Sequence, residues 1–432
     1  MFAHVFSGSL TRSTAFRVKA NGQDLDVLQH PDGDWTSFEC DAAVEIDVEA
    51  GSGTDEAIVR PLSRGIRSAS GAGCAKFTIP GPGYLMIEMP GQPLLFLYAH
   101  PPAPAAPTGG KVRRFEGGKM HEAGEIVLRD GETCWIEPGA VVRGCIRASE
   151  AAGIRIGGYG VLDGSYWAER GGKRRSILLD RCRDVRVEDL LMLGPTGWML
   201  VLGGCDGVEV SRVRQIADGL GSDGIDIVGS RRVRISGCCL RNGDDNIAVK
   251  SFVAASDAGA PLPWDGTVED VRVSGCSFYN TLGGSSMEIG FELRTDLVHD
   301  IRFEDIDVLG VHNFGSVFGI HNGDHATVED VTWDNIRVEH HFDKLVDFRT
   351  VFSRWSRDAE RGQIRNITLR RIRALQSPFN AGYTLSVMCG FDVQHPVAGV
   401  RIEDFELGGR KILNADQLDL VTRHAHDISF HG

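Results

Sequence analysis

The sequence predicts an all-β protein in which an N-terminal β-sandwich precedes a long β-solenoid. Short segments with apolar residues at alternate positions recur over the second part of the chain. The first hundred residues contain strand-like segments without that recurrence. The 54 glycines in 432 residues favour many turns, and stretches with helical periodicity are scarce.

Residues 1 to 100 are predicted to form the β-sandwich domain. The segments FRVKANGQDLDVLQH, SFECDAAVEIDVEA, GCAKFTIPGPGYLMIEM and LLFLYAH are typical of strands joined by hairpin-like turns. PPAPAAPTGG, residues 101 to 110, then indicates a proline-rich linker. We expect the domain to pack against the solenoid or cap its end, and the alternative is a separate binding role.

Residues 111 to 432 are predicted to form the solenoid. The recurring segments are IRIGG at Ile154, VRVED at Val185, VEVSR at Val208, VRISG at Val233, VRVSG at Val271, IRFED at Ile301, VTWDN at Val331, ITLRR at Ile367 and VRIED at Val400. Their starts are 23 to 38 residues apart, so connecting loops vary in length, and SFVAASDAGAPLPWDG is expected to wall a groove. One segment cannot bury its inner face alone, but stacked segments share a continuous core. A β-propeller is the alternative, although its blades need four strands at a more regular period.

Charge and composition narrow the class of protein. The net charge of −13 argues against nucleic acid and anionic membranes as partners, and it gives no general attraction to a polyanion. No uninterrupted apolar run is long enough for a membrane span, and the N-terminal residues do not resemble a secretion signal. We therefore expect a cytoplasmic protein, or a secreted one if a leader has been removed. The ten cysteines lack metal-ligand spacing and are predicted to be reduced core thiols.

Two neighbouring segments, SDGIDIVG and GDDNIAVKS, carry three aspartates where predicted strands begin. If Ile225 and Ile247 occupy equivalent inward positions, Asp223 lies beside Asp245, with Asp244 one position earlier. Stacked parallel strands are about 4.8 Å apart, so the three carboxylates would share one small patch. Massed like charges do not help a chain to fold, whereas a general acid and an activated water cleaving a glycosidic bond need such a cluster. The alternative is that these aspartates cap turns between strands.

SDGIDI followed by GDDNIAVKS resembles the NTDG and GDD signatures of glycoside hydrolase family 28, the polygalacturonases. GYGVLDGSYW, RRSILLDRCRDVRVEDLLMLGPTGW and VEVSRVRQIA resemble that family's coils in the same order, over roughly residues 150 to 310. The resemblance implies a right-handed parallel β-helix and inverting hydrolysis without a metal or other cofactor. It implies Asp244 as the general acid, with Asp223 and Asp245 holding and deprotonating the water. The two-part layout is similar to family 49, the dextranases and isopullulanases, which also place an acidic triad on a β-helix.

The sequence departs from family 28 at two places. LGGSSMEIGFEL resembles the family's GHGLSIG segment, but Ser285 replaces the histidine. The family's ArgXLys pair, which grips the galacturonate carboxylate, has no counterpart between Asp300 and His325. Together these differences favour a neutral sugar over a uronic acid.

Five further residues are candidate substrate contacts. Asp226 and Lys250 face outward by alternation, where each contacts substrate or forms a salt bridge that holds the aspartates. Glu288 is expected to accept a hydrogen bond from a sugar hydroxyl, unless it is an exposed bystander. His321 binds a hydroxyl or is structural, and Trp198 stacks on a sugar ring or fills a corner of the fold.

The sequence thus predicts a glycosidase that cleaves an α-linked bond of an oligo- or polysaccharide, preferably neutral, by inversion. One alternative is a polygalacturonase acting on galacturonides. Another is a polysaccharide lyase or glycosyl-transferring cyclase on the same scaffold, and a third is a catalytically silent binding solenoid. The sugar, the linkage, endo or exo action and the oligomeric state are not indicated.

Overall fold

The fold is described from a computed structural model, over residues 1–8, 10–51, 56–377 and 384–432. It divides into two compact units, one made of Met1–Glu122, Cys134–Arg143 and Gly157–Leu162, the other of Ala123–Thr133, Gly144–Ile156 and Asp163–Gly432. The domain limits at residues 100 and 110 stay a prediction. Helix in the described residues is confined to one short α-helix, Ser165–Ala168, and two 3-10 turns, Leu62–Arg64 and Asp416–Leu418.

The first hundred residues form two sheets that share one core, which confirms the predicted N-terminal β-sandwich. One sheet has the strand order Phe2–Ala3, Asp34–Glu39, Leu95–His100, Gly83–Glu88 and Ile58–Arg60, with Val27–Leu28 beside Asp34–Glu39. The other has the order Gln23–Leu25, Phe16–Ala20, Val44–Ala50, Cys74–Ile79 and Ala69–Gly71. Alternate residues of both sheets, such as Val48 and Leu97, point into this common core because successive strand side chains face opposite sides.

The rest of the chain is a parallel β-helix, as predicted. Between residues 112 and 163 its strands are Val112–Phe115, Met120–Leu128, Thr133–Ile136, Val141–Ser149, Arg155–Gly157 and Val161–Asp163. The stack that carries the candidate site, called the groove sheet here, consists of Ile177–Asp180, Leu200–Gly203, Ile225–Val228, Ile247–Ala255, Met287–Leu293, Ser316–Asn322, Lys344–Thr350, Leu385–Cys389 and Leu420–Arg423.

Two further stacks complete each turn of the helix, called a coil here. The second stack consists of Arg183–Glu188, Asp206–Ser211, Arg231–Ser236, Val268–Ser274, Leu297–Val311, Thr327–Val338, Gln363–Ala374, Val397–Leu407 and Ala425–His431. The third consists of Leu191–Leu193, Arg214–Ile216, Cys239–Asn242, Ser277–Asn280 and the later parts of the long strands from Leu297 onward. Pro261–Trp264 and Arg410–Lys411 are short antiparallel additions.

The recurring sequence segments lie in register in the second stack. Val185, Val208, Val233, Val271, Ile301, Val331, Ile367 and Val400 are partners on successive coils and are all buried. One position before each of these residues the backbone turns left-handed, at Asp184, Gly207, Arg232, Asp270, Asp300, Asp330, Asn366 and Gly399. Glycine, aspartate and asparagine tolerate this conformation best, which explains the residue types at seven of these eight positions, Arg232 being the exception.

A hairpin covers part of the outer face of the groove sheet. Its strands, Phe252 to Ala255 paired with Pro261–Trp264, lie within the long insertion seen in the sequence. Trp264 is fully buried against Val201 and Val228, and its indole Nε1 donates to Asp180 Oδ1 at 2.9 Å. The insertion is therefore an ordered element anchored on the strands that precede the site.

The cysteines and the helices were also considered in the composition. The ten cysteines are free thiols, eight of them buried, as predicted. Within the described residues, no helix has the length and apolar character required to span a bilayer.

Candidate active site

Each coil of the groove sheet contributes one residue to a line of side chains. Ile225 pairs with Ile247 and Ile247 with Met287, so two positions upstream Asp223, Asp245 and Ser285 are neighbours. The same register adds Trp198 before them and Ser316 and Lys344 after them. The register assumed from the sequence is therefore the observed one.

The structure brings the three predicted acids together. Asp223, Asp244 and Asp245 each offer one carboxylate oxygen, and these oxygens all lie within 4.8 Å of one another. Asp223 and Asp245 are buried, with 3% and 8% of their surface exposed, whereas Asp244 is half-buried. Asp244 is thus the member of the cluster most open to solvent.

Backbone amides fix two of the carboxylates. The amides of Gly221 and Asp245 donate to Asp244 at 2.8 and 3.1 Å, and the amide of Ser285 donates to Asp245 Oδ1 at 2.6 Å. Gly284, with a φ of +65°, lies so close that a Cβ there would be 2.5 Å from Asp244 Oδ1 and Asp245 Oδ1. The loop around Gly284 therefore packs directly on both carboxylates, and only glycine fits it.

Buried amide side chains support the loops that carry the acids. Asn246 Nδ2 donates to Asn242 Oδ1, Asn242 Nδ2 donates to Gln215 Oε1, and both distances are 2.9 Å. Asn280 Nδ2 donates to the backbone oxygens of Asp244 at 2.6 Å and of Gly283 at 2.7 Å. These bonds satisfy loop carbonyls away from water and hold the turn in one conformation.

Lys250 neutralises part of the acidic cluster. Its Nζ lies 2.7 Å from Asp223 Oδ2 and 2.9 Å from Asp226 Oδ1, and it sits 4.2 Å from the centre of the Trp198 ring. Burial alone would lower the pKa of Lys250, but Asp223 and Asp226 raise it well above its ordinary value. The lysine is therefore a fixed cation beside Asp223.

Asp226 does not line the cavity, and it forms the salt bridge with Lys250 that was the alternative to a substrate contact. It has no exposed surface, and one carboxylate oxygen accepts from Lys250 while the other has no hydrogen-bond partner among the described residues. Alternation correctly placed it on the outer face of its strand, but sequence cannot show that Lys250 covers it. Burial raises the pKa of Asp226 well above its ordinary value.

The pKa values of Asp244 and Asp245 are raised as well. Burial, followed by the charge of Asp223, raises the pKa of Asp244. The same two causes, together with Glu288, raise the pKa of Asp245 well above its usual range. Three carboxylates this close do not all ionise, so the cluster retains a proton at a pH where an isolated aspartate has lost it.

Glu288 and His321 form a charged network beside the triad. His321 Nδ1 lies 2.7 Å from Glu288 Oε1, and its Nε2 lies 3.1 Å from Asp347 Oδ2. Arg349 donates to both oxygens of Asp347, at 2.6 and 2.7 Å. The Phe291 ring stacks on the imidazole with ring centres 4.5 Å apart. Both predicted residues are therefore held rigidly in the wall of the groove.

The groove widens into a cavity of about 530 Å³ over these residues. Seven of the eight predicted site residues line it, namely Trp198, Asp223, Asp244, Asp245, Lys250, Glu288 and His321. Five further residues of the cavity wall were not predicted from the sequence, namely Lys344, Asp347, Arg349, Arg354 and Trp355. Extending the coil register through KLVDFRT would have placed the first three beside His321, but that segment matches no quoted family motif.

Comparisons with known proteins agree with this architecture. The model of glycosyl hydrolases family 28 matches residues 131–420. Curated relatives include a polygalacturonase of Juniperus ashei, 25% identical over 188 residues, which are 36% of this chain and 37% of the relative. Endopolygalacturonase A of Aspergillus flavus is 25% identical over 251 residues, 49% of this chain and 68% of the relative. The matched stretch thus spans little more than a third of the Juniperus protein.

Solved structures extend the likeness to the N-terminal part. Dex49A from Penicillium minioluteum aligns with a TM-score of 0.74 and 13% identity, covering 99% of this chain and 96% of that one. A polygalacturonase from Erwinia carotovora ssp. carotovora aligns with a TM-score of 0.55 and 15% identity, covering 74% and 89%. At such identities the matches show the fold alone. They agree with the resemblance to families 28 and 49.

The fold and the site place the chain among parallel β-helix proteins that carry an acidic cluster in the groove. Because the family model covers more than half of the sequence, the chain belongs to glycosyl hydrolases family 28.

Proposed function

We propose that the protein hydrolyses an α-linked glycosidic bond of a neutral oligo- or polysaccharide bound in the groove. The observation that carries the proposal is the triad of Asp223, Asp244 and Asp245, with carboxylate oxygens within 4.8 Å, in the wall of a cavity large enough for sugar rings. Membership of family 28 supports glycoside hydrolysis, and the α linkage is proposed on the family resemblance.

The proposed roles follow the environment of each acid. Asp244, the member most open to solvent, donates its proton to the glycosidic oxygen as the bond to the anomeric carbon breaks, as the family resemblance implies. Asp223, paired with Lys250, and Asp245 hold a water whose oxygen bonds to that carbon. The water's proton passes to this pair, and exchange with solvent returns the proton to Asp244.

The balance of charge in the cavity supports a neutral sugar. Six carboxyl groups line it, at Asp223, Asp244, Asp245, Glu288, Glu292 and Asp347, against four lysine or arginine side chains, besides His321, which Glu288 and Asp347 already engage. Three of these cations are already engaged, Lys250 by Asp223, Lys344 by Asp343 and Arg349 by Asp347. A uronic-acid substrate would therefore enter a groove with little spare positive charge.

A galacturonide is the second candidate because of Arg354. This side chain lines the cavity and lies 4.6 Å from the centre of the Trp355 ring, and none of the ion pairs among the described residues includes it. Relatives named polygalacturonases point the same way. A screen with α-linked gluco-, galacto-, rhamno- and galacturono-oligosaccharides separates the two candidates, and hydrolysis confined to galacturonides overturns the neutral substrate.

Inversion of the anomeric configuration is proposed on the family resemblance. The spacing of the acids alone does not distinguish inversion from retention. Inverting enzymes commonly separate acid and base by about 6.5 to 9.5 Å, and retaining ones by about 5 to 5.5 Å. The closest oxygens here are nearer than either range. Anomeric NMR of the first products decides, because an inverted product supports single displacement and a retained one requires a covalent intermediate.

The proposed roles predict that three variants of the triad lose activity differently on a nitrophenyl glycoside and on the natural sugar. A nitrophenyl glycoside needs little protonation of its leaving group, so Asp244→Asn should lose much less activity on it than on the natural sugar. Asp223→Asn and Asp245→Asn should lose on the order of 100-fold or more on both substrates, because positioned proton transfer contributes about 10² to 10⁴ in rate. The measurement is kcat/KM on both substrates, with circular dichroism to confirm the fold.

Asp265→Asn is the matched control, because Asp265 is exposed and does not line the cavity. It should match the unmodified protein on both substrates. Rescue of Asp245→Asn rather than Asp244→Asn by the good leaving group would reassign the acid.

A further inference from the structure

Large apolar side chains are exposed along the rim of the cavity. Leu220, Leu282, Phe314 and Trp355 all line it, with 75%, 54%, 77% and 43% of their surface exposed. Single exposed apolar residues need no explanation, but several around one polar cavity indicate a binding surface. Two of the four, Phe314 and Trp355, are aromatic.

Trp355 follows a strand that is separated from the triad along the helix axis. This strand, Lys344–Thr350, is three coils beyond the strand that follows Asp245. At about 4.8 Å per coil, the two strands are on the order of 14 Å apart.

The loop that carries Trp355 is fixed by hydrogen bonds. The buried Asp324 carboxylate accepts the backbone amides of Leu293 at 3.0 Å, Arg357 at 2.5 Å and Asp358 at 3.0 Å. Trp355 itself donates its backbone amide to Ser353 Oγ at 3.1 Å. A loop held at so many points presents its exposed ring with little loss of conformational entropy on binding.

We propose that Trp355, with Arg354 beside it, forms a distal subsite that stacks on a sugar ring of a saccharide chain lying across the triad. This subsite rests on the proposed function, and it adds the inference that the natural substrate is longer than a disaccharide. The flat indole offers an apolar face to the C–H face of a pyranose, and Arg354 offers donors to the ring hydroxyls.

Substrate length provides the test. Trp355→Ala should lower kcat/KM roughly 3- to 10-fold on a hexasaccharide of the series that is hydrolysed best, the range expected for one aromatic stacking contact. The loss should lie in KM, and kcat/KM on the disaccharide of the same series should not change. An equal loss on both lengths, or no loss on the hexasaccharide, overturns the subsite.

Phe352→Ala is the matched control. Phe352 is on the same loop and is 73% exposed, but it does not line the cavity. It should leave kcat/KM unchanged on both lengths, and a loss equal to that of Trp355→Ala would show a general effect of the loop and overturn the subsite.

A binding experiment separates failure of this subsite from failure of the proposed function. Native gels containing dextran, soluble starch or polygalacturonate measure retardation without requiring hydrolysis. If no glycoside is hydrolysed, the proposed function fails, yet retardation that is lost in Trp355→Ala and kept in Phe352→Ala still supports the subsite. Equal mobility of Trp355→Ala and the unmodified protein in all three gels overturns it.

Discussion

At the scale of single residues, His321 shows how the groove fixes a charge. Burial alone would lower the pKa of its imidazole, but Glu288 and Asp347 on either side raise the pKa to about 9. The imidazolium donates from Nδ1 to Glu288, while its Nε2 lies 3.1 Å from both Asp347 Oδ2 and Arg349 Nη2, so it holds Glu288 in one orientation towards the cavity. The sequence placed both residues on the groove, but it did not reveal Asp347, which completes the network.

This pKa predicts a pH dependence of stability. The unfolded imidazole has a pKa near 6.5 and the folded one about 9, so the stabilisation is complete below pH 6.5 and is lost as the pH rises through 9. Its size is on the order of 3 kcal/mol. In urea unfolding from pH 6 to 9.5, the free-energy difference between the unmodified protein and His321→Gln should shrink with increasing pH.

His341 is the matched control with the opposite sign. Burial and the neighbouring His340 lower the pKa of His341 to about 4, so its contribution is present above pH 6.5 and lost as the pH falls towards 4. His341→Gln should therefore alter only the acid side of the stability profile. An unchanged alkaline side in His321→Gln would show that the imidazole is neutral in the folded protein.

At the scale of elements, the hairpin ending at Trp264 connects the outer face of the sheet to the groove wall. Asp257 in this hairpin accepts from Arg147 at 2.6 Å and from Arg175 at 2.9 Å. The Arg175 guanidinium lies 5.2 Å from the centre of the Trp198 ring, which lines the cavity. The position of Trp198 therefore depends on how the hairpin docks.

The docking of the hairpin depends on the absence of a side chain at Gly203. A Cβ at Gly203 would be 2.1 Å from Trp264 Cε2, so Gly203→Ala must displace the buried indole. We expect a loss of about 1 to 3 kcal/mol in the free energy of unfolding, as for overpacked cores, and faster proteolysis within the hairpin. Gly197→Ala is the control, since nothing lies within 4 Å of its added Cβ. Equal stability of the two variants would show that the hairpin does not rest on Gly203.

The sequence predicted the coils better than the elements between them. Period-two alternation and turn residues located the inward positions from Val185 to Val400, because burying one face of a strand leaves a strong pattern. The docking of Trp264 leaves no such pattern, because it depends on a contact with Gly203 far away in the chain. The triad was predictable for the same reason as the coils, since its members keep the register of their strands.

At the scale of the whole molecule, the protein has a net charge of −13, and the lining of its groove is also rich in carboxylates. The negative potential should slow the approach of a polyanionic saccharide and leave a neutral one unaffected. The net charge follows from the composition, but the ion pairs of Lys250, Lys344 and Arg349 with acids could be identified only in the structure.

Ionic strength tests this electrostatic argument. Raising it from about 0.01 M to 0.15 M shortens the screening length from roughly 30 to 8 Å. If any galacturonide is hydrolysed, its kcat/KM should rise several-fold over this range, whereas kcat/KM on a neutral oligosaccharide of equal length should stay constant. A fall with added salt would show that a local cation such as Arg354 outweighs the net charge.

The groove can change its saccharide preference during evolution because of one line of residues. This line runs from Trp198 through Asp223, Asp245, Ser285 and Ser316 to Lys344. Each coil supplies one side chain at the same register position, and inward apolar partners maintain that register independently. A substitution at one position therefore changes one step of the groove and leaves the others in place. New saccharide preferences can arise one coil at a time, without an intermediate that has lost the fold or the acids.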